Sequence, residues 1–256
     1  MPAADLELLK SAAETAGEIA MSFFCQDPEC WEKDGDQGPV TEADLTIDKH
    51  LNEVLGATRP DYGWLSEEDE DDPARLSKDR VFIIDPIDGT RSFIAGHENF
   101  AIALAVADRG DITAAVVQMP AKGITYAAAR GLGATKNGEA IAPTKCLSSN
   151  GARVLAAGPQ MQSKNWRKGV PPFERHFRSS LAYRMCLVAE GRFDAMLTFR
   201  KTWEWDCAAG ALICEEAGAI VTDQKQKPLH FNSKTAQTAG VIAAPKNLHS
   251  DICSYL

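Results

Sequence analysis

Apolar residues recur at helical spacing over residues 5–24, where Leu6, Leu9, Ala13, Ala16, Ile19, Ala20 and Phe23 share one face. The stretch from Asp34 to Pro39 holds Gly and Asp and reads as a loop. Thr41-Glu42-Ala43-Asp44 has the form of a Thr-capped helix start, and Ile47, Leu51, Val54 and Leu55 carry one apolar face towards a stop at Arg59-Pro60-Asp61. An acidic run from Glu67 to Asp72 is closed by Pro73. The period then changes. Val81-Phe82-Ile83-Ile84 is continuously apolar, as a buried strand would be, and strand-like stretches follow at 100–107, 112–119 and 124–130. Asn137-Gly138 signals a hairpin turn. Arg153 to Ala156 opens a second sheet. A helix is expected over 180–190, a strand over 193–199, and a helix over 206–217 stopped by Gly218. Strands at 220–222 and 241–244 complete the pattern.

Helices interleaved with runs of adjacent strands predict a layered α+β or α/β architecture. The Pro-, Ser-, Asn- and Gly-rich stretch at 140–152 marks a soft boundary, dividing the chain into halves 1–145 and 146–256. Composition narrows the picture further. With 45% hydrophobic and 25% charged residues over 256 positions, the chain is an ordinary globular protein, not a disordered, collagen-like or disulfide-stapled one. Its formal charge of −9 makes it a poor general binder of nucleic acid or anionic membrane. The longest apolar run, 101–107, is far short of the roughly 18 residues of a membrane span. Asp5 and Glu7 near the N-terminus do not fit a basic signal-peptide region. The seven cysteines include no C-x-x-C pair. Cys186, Cys207 and Cys214 sit in apolar helical stretches, which points to reduced, buried thiols and a cytoplasmic location. Cys25 and Cys30 lack neighbouring ligands to complete a zinc site.

The sharpest candidate chemistry is Asp85-Pro86-Ile87-Asp88-Gly89-Thr90, directly after the buried strand. Two carboxylates three residues apart in a tight turn converge on one spot and repel unless a cation lies between them. A hard divalent ion such as Mg²⁺ suits such a pair, and Gly89-Thr90 as a helix start offers N–H groups to a phosphate oxygen. Taken alone, the motif also fits a solvated Asx-type turn. The carboxylate spacing does not fit a phosphoaspartyl nucleophile, and the EF-hand and P-loop patterns are absent.

Four segments in order make the sequence similar to the inositol monophosphatase family of Mg²⁺-dependent, lithium-sensitive phosphatases. They are Thr41-Glu42-Ala43-Asp44, Leu65-Ser66-Glu67-Glu68, Asp85 to Phe93, and Trp205-Asp206-Cys207-Ala208-Ala209-Gly210 through Glu216-Ala217-Gly218. The resemblance implies the αβαβα sandwich of the sugar phosphatases, two or three Mg²⁺ ions, and a homodimer. It implies metal ligation by Glu67, Asp85, the Ile87 carbonyl, Asp88 and Asp206. It implies catalytic roles for Glu67, Asp44 and Thr90, the last two orienting the attacking water, and a phosphate grip from the Gly89 and Thr90 amides. Ser180, Arg184 and Asp206 are the expected substrate contacts beyond these. Each also has a bland reading: Asp44 as a capping-box acid, Asp206 as a helix cap, Glu67 as part of a solvated acidic face.

The substrate implied is a small phosphate ester. Inositol-specific members place a glutamate shortly before the Trp-Asp motif; here the stretch Thr198 to Glu204 is one residue longer and lacks it, leaving Glu204 as the substitute. Ser179-Ser180-Leu181 and Thr202 resemble bacterial 3′(2′),5′-bisphosphate nucleotidases instead. Residues 160–204 carry nine Lys or Arg against four acids, either a second-phosphate patch or a solvated basic helix. Inositol phosphate and the bisphosphate nucleotide stand near parity, with histidinol phosphate and fructose 1,6-bisphosphate as alternatives. A regulatory, partner-binding protein with residual activity is the reading of another class.

Overall fold

The computed structural model describes residues 2–33 and 38–256; positions 34–37 of the expected loop lie outside them. Helix α1 spans Pro2–Phe23. Strands β1 (Cys30–Glu32) and β2 (Pro39–Thr41) form an antiparallel ribbon that delivers the chain to α2 (Glu42–Thr58). Seven strands then build the first sheet: β3 (Gly63–Ser66), β4 (Arg80–Asp88), β5 (Ala101–Asp108), β6 (Asp111–Met119), β7 (Ile124–Ala129), β8 (Ala134–Lys136) and β9 (Glu139–Ala140). They lie side by side in chain order, and β3–β4 is the parallel pair. The short helix α3 (Thr90–Ile94) interrupts this series between β4 and β5.

The second sheet has five strands in the order β11-β10-β12-β16-β14, where β10 is Arg153–Ala156, β11 Glu174–His176, β12 Ala195–Thr198, β14 Ile220–Thr222 and β16 Val241–Ala244. A small ribbon pairs β13 (Thr202–Trp203) with β15 (Gln237–Thr238). Three helices belong to this half: α4 (Leu181–Ala189), α5 (Glu204–Ala217) and α6 (Lys246–Cys253).

Three apolar cores define five layers. Leu9, Ala13 and Ala16 of α1 and Ile47, Leu51 and Leu55 of α2 cover one face of the first sheet, against Phe82, Ile84, Ile102 and Val116. Helices α4 and α5 fill the space between the two sheets, so Met185 and Leu212 share one core with Ile83 and Ala105 on one side and Met196 and Ala243 on the other. Leu248 and Ile252 of α6 close the outer face of the second sheet. The order is αβαβα. Each fully buried Leu or Ile contributes about 1.5–3 kcal/mol by leaving water. The middle core draws on both halves of the chain, which joins them mechanically although 141–152 links the sheets. At Gly210 a Cβ would meet Met185 Cβ at 2.7 Å, so glycine there lets α5 approach α4 closely.

Several expectations are corrected. The Asp85–Asp88 segment is not a tight turn: β4 runs through it, with an irregular register between Asp85 and Asp88 that accommodates Pro86. Residues 158–165 form short 3₁₀ turns and 174–176 a strand, not a basic helix. Helix α5 starts at Glu204, so Asp206 lies within its first turn and is not the cap. Strand β3 and helix α6 have no counterpart in the sequence pattern. No helix among the described residues is long and apolar enough to cross a membrane.

Candidate metal and phosphate site

The parallel pairing of β3 with β4 sets Ser66 opposite Ile84, and the Glu67 N–H donates to the Ile84 carbonyl at 3.2 Å. Glu67 and Asp85 are thereby neighbours at the same sheet end. Helix α5 brings Asp206 from the other half. One carboxylate oxygen each from Glu67, Asp85 and Asp206 lies within 4.8 Å of the other two. Asp85 is fully buried, and neither of its oxygens has a hydrogen-bond partner among the described residues. An ionised carboxylate in that position is costly unless a proton or a cation compensates it. Burial pushes the Asp85 carboxyl well above the usual range, and the charges of Glu67, Asp88 and Asp206 push it further. Asp206 is driven up in the same way, by burial first and then by Asp88 and Glu67. An oxygen-only donor set of this charge fits a hard divalent ion.

Asp88 stands beside the trio with one oxygen already committed. Its Oδ2 accepts from Ser180 Oγ and from the Ala182 N–H, both at 2.7 Å. Burial pushes it up to about 6 despite these bonds. Ser180, expected at the substrate, is fully buried and spends its hydroxyl on Asp88 and on capping α4; Ser179 lines the cavity in its place. The Ile87 carbonyl accepts from Thr90 Oγ1 at 3.1 Å.

Asp44 unites two readings. Its Oδ2 accepts from the Thr41 N–H at 2.8 Å and hydroxyl at 2.5 Å, completing the capping box of α2. Its Oδ1 faces the Thr90 hydroxyl at 3.4 Å. Burial lifts it to about 6, against the pull of the Thr41 bonds. Gly89 precedes α3 with φ +103°, and a Cβ there would meet the Asn99 carbonyl at 3.1 Å, so this left-handed position needs glycine. The turn it makes presents the first amides of α3, which have no helical acceptor, to the same space.

That space is a cavity of about 700 Å³ lined by Glu67, Asp85, Asp88, Gly89, Thr90 and Asp206, and also by Arg91, Arg184 and Arg200. Glu204, the expected substitute for an inositol-binding glutamate, does not reach it. It is fully buried, and its carboxylate accepts from the Asn232 and Ser233 N–H groups at 2.6 and 3.0 Å. One partner escaped the sequence reading. Lys33 Nζ sits 3.0 Å from Glu67 and 2.8 Å from Glu68, partly neutralising the acidic pair. Of the nine basic residues counted over 160–204, Arg184 and Arg200 line the cavity. Lys33 is separated from Glu67 by α2 and β3, so no local pattern links them. Cys25 and Cys30 are exposed free thiols.

A model of the inositol monophosphatase family matches residues 3–256, almost the whole chain. A histidinol-phosphatase of Chlorobaculum parvum is 31% identical over 227 residues, covering 86% of each chain. A 3′(2′),5′-bisphosphate nucleotidase CysQ of Aggregatibacter actinomycetemcomitans is 30% identical over 246 residues, covering 91% of each. Among solved structures, the Thermotoga maritima IMPase superposes with a TM-score of 0.84 at 28% identity, over 99% of this chain and 96% of that one. These relatives are phosphatases that differ in the ester they are named for. A match of this extent, on a fold whose acidic residues meet at one cavity, makes the chain a member of the inositol monophosphatase family.

Proposed function

We propose that the protein hydrolyses a small phosphate monoester, an inositol monophosphate or a 3′(2′),5′-bisphosphate nucleotide, in a Mg²⁺-dependent reaction with water as the nucleophile. The buried Asp85 carboxylate, unpartnered beside Glu67 and Asp206, carries this reading. Glu67, Asp85 and Asp206 would hold the metal, with the free oxygen of Asp88 and the Ile87 carbonyl completing two or three ion positions. When bound, Mg²⁺ activates water and neutralises charge on the phosphoryl and leaving oxygens, a large part of the roughly 20 kcal/mol that monoester hydrolysis requires.

The chain's own groups do the rest. The amides at Gly89 and Thr90 hold phosphate oxygens at the start of α3. The Thr90 hydroxyl lies between Asp44 and the Ile87 carbonyl, where it can take a proton from water and pass its own to Asp44. Asp44, lifted to about 6 by burial, is a better proton acceptor than an exposed carboxylate. Lys33 limits the repulsion of the incoming dianion by Glu67 and Glu68. No protein nucleophile is needed, so no phosphoenzyme forms.

Phosphate release from inositol 1-phosphate, adenosine 3′,5′-bisphosphate, histidinol phosphate and fructose 1,6-bisphosphate, with Mg²⁺ or EDTA, tests the proposal. Turnover of at least one ester with Mg²⁺, lost in EDTA, is expected. Silence on every ester would instead favour the partner-binding reading.

A further inference from the structure

The cavity carries charges of both signs: the carboxylates Glu67, Asp85, Asp88 and Asp206, Arg91 at the start of α3, and Arg184 and Arg200 from the second half of the chain. We propose that Arg184 and Arg200 receive a second anionic group of the substrate, so that the site selects esters with two acidic groups over neutral or amine-bearing ones. This rests on the phosphatase reading above and adds the substrate class to it.

Arg184 projects from the first turn of α4 and is only 6% exposed. Its Nε donates to the Ser180 carbonyl at 3.3 Å, and its guanidinium lies 5.2 Å from the centre of the Phe177 ring. These contacts fix the plane of the fork. Among the described residues no carboxylate forms a salt bridge with it. Burial pulls its pKa down to about 10; Asp88 and Asp206 oppose that pull, and the positive charge of Arg200 adds to it. A buried guanidinium facing a second one is unfavourable by itself and becomes favourable when an anion lies between them. Arg200, on the exposed connection between β12 and β13, brings the second fork without a packing constraint.

The wall also lacks what other substrates need. A polyol is recognised by acceptors for its hydroxyls, and an ammonium by a carboxylate. Thr198 lines the cavity where the inositol-binding glutamate was sought, and Glu204 is turned away into its bonds with Asn232 and Ser233. The acids that do face the cavity are those assigned to the metal.

The test compares kcat/KM in Mg²⁺ for adenosine 3′,5′-bisphosphate, adenosine 3′-monophosphate, fructose 1,6-bisphosphate, inositol 1-phosphate and histidinol phosphate, in the wild type and in Arg200→Gln and Arg200→Lys. The esters with a second phosphate should lead those without one by about tenfold or more, and Arg200→Gln should erase that lead, with partial rescue by Lys because the bidentate fork is lost. Comparison of the two bisphosphates separates a nucleotide from a sugar as the source of the anion. A preference for inositol 1-phosphate or histidinol phosphate, for both adenosine esters equally, or one untouched by Arg200→Gln overturns the proposal while the phosphatase reading stands. If no ester turns over, that reading falls. Calorimetric binding of adenosine 3′,5′-bisphosphate then decides the arginine claim: binding weakened about tenfold by Arg200→Gln supports it, and equal binding or none refutes it.

Discussion

Asp85→Asn is expected to lower kcat by at least about a hundredfold in saturating Mg²⁺ without unfolding the protein. The amide keeps the shape of the side chain but removes the charge at the centre of the trio proposed to hold the metal. The stability effect should have the opposite sign. Asp85 is buried with no partner for either oxygen, so the metal-free native state carries an uncompensated acid. Its neutral isostere relieves the repulsion from Glu67, Asp88 and Asp206. Steady-state phosphate release and thermal unfolding in EDTA check both halves. A variant with near-wild-type turnover, or one that is inactive because it has melted, would remove Asp85 from the centre of the metal site.

Arg75→Ala is expected to cost about 3 kcal/mol or more of stability, the scale of breaking a buried, hydrogen-bonded charge. Arg75 is almost wholly buried between the halves of the chain. Its guanidinium grips both oxygens of Asp71 and donates to Asn232 Oδ1 at 2.6 Å and the Ser233 carbonyl at 3.0 Å. The Asn232 amide returns a bond to the Arg75 carbonyl at 3.2 Å. The backbone N–H groups of Asn232 and Ser233 hold Glu204, two residues before Asp206, so the clamp fixes the end of α5 that carries the proposed metal ligand. Truncation leaves Asp71, Asn232 and the Ser233 carbonyl without their partner and empties the buried space that the side chain fills. For a chain of this size the melting temperature should drop by about 6–12 °C. A shift of one or two degrees would show that the network is replaceable.

The local chemistry was legible because it is local. Thr41 and Asp44 announce a cap three residues apart, and Asp85 to Thr90 places two acids, a proline and a left-handed glycine within six positions. The same stretch misled on geometry. Proline and glycine suggested a turn, but sheet pairing with Ala103 and Ala101 carries the strand past Pro86. Alternation and continuous apolar runs located β4 to β7, each with two covered faces or a long partner. Short elements such as β3, β11 and the turns at 158–165 carry too few residues for a period, and tertiary packing decides them. Pairings across long stretches of chain were invisible. Nothing near Arg75 points to Asn232, nothing near Lys33 points to Glu67, and the burial of Ser180 and Glu204, which removes both from the cavity, follows only once α4 and α5 are seated between the sheets.

The claim beneath all of this is that a divalent cation compensates the carboxylates. Burial raises Asp44 and Asp88 to about 6 and pushes Asp85 and Asp206 well above the usual carboxylate range. A carboxyl raised in the folded state contributes stability below its unfolded value near 4, and that contribution is lost as pH rises through the folded one. The metal-free protein should therefore lose stability between about pH 4 and 7, and Mg²⁺ should restore it where protons no longer can. The direct measurement is thermal unfolding of the EDTA-treated protein at pH 5 and pH 7.5, with and without Mg²⁺. A rise of about 5–10 °C at pH 7.5 with ion near a hundred times its dissociation constant, shrinking at pH 5, is predicted. An unfolding temperature indifferent to Mg²⁺ at pH 7.5 would contradict it.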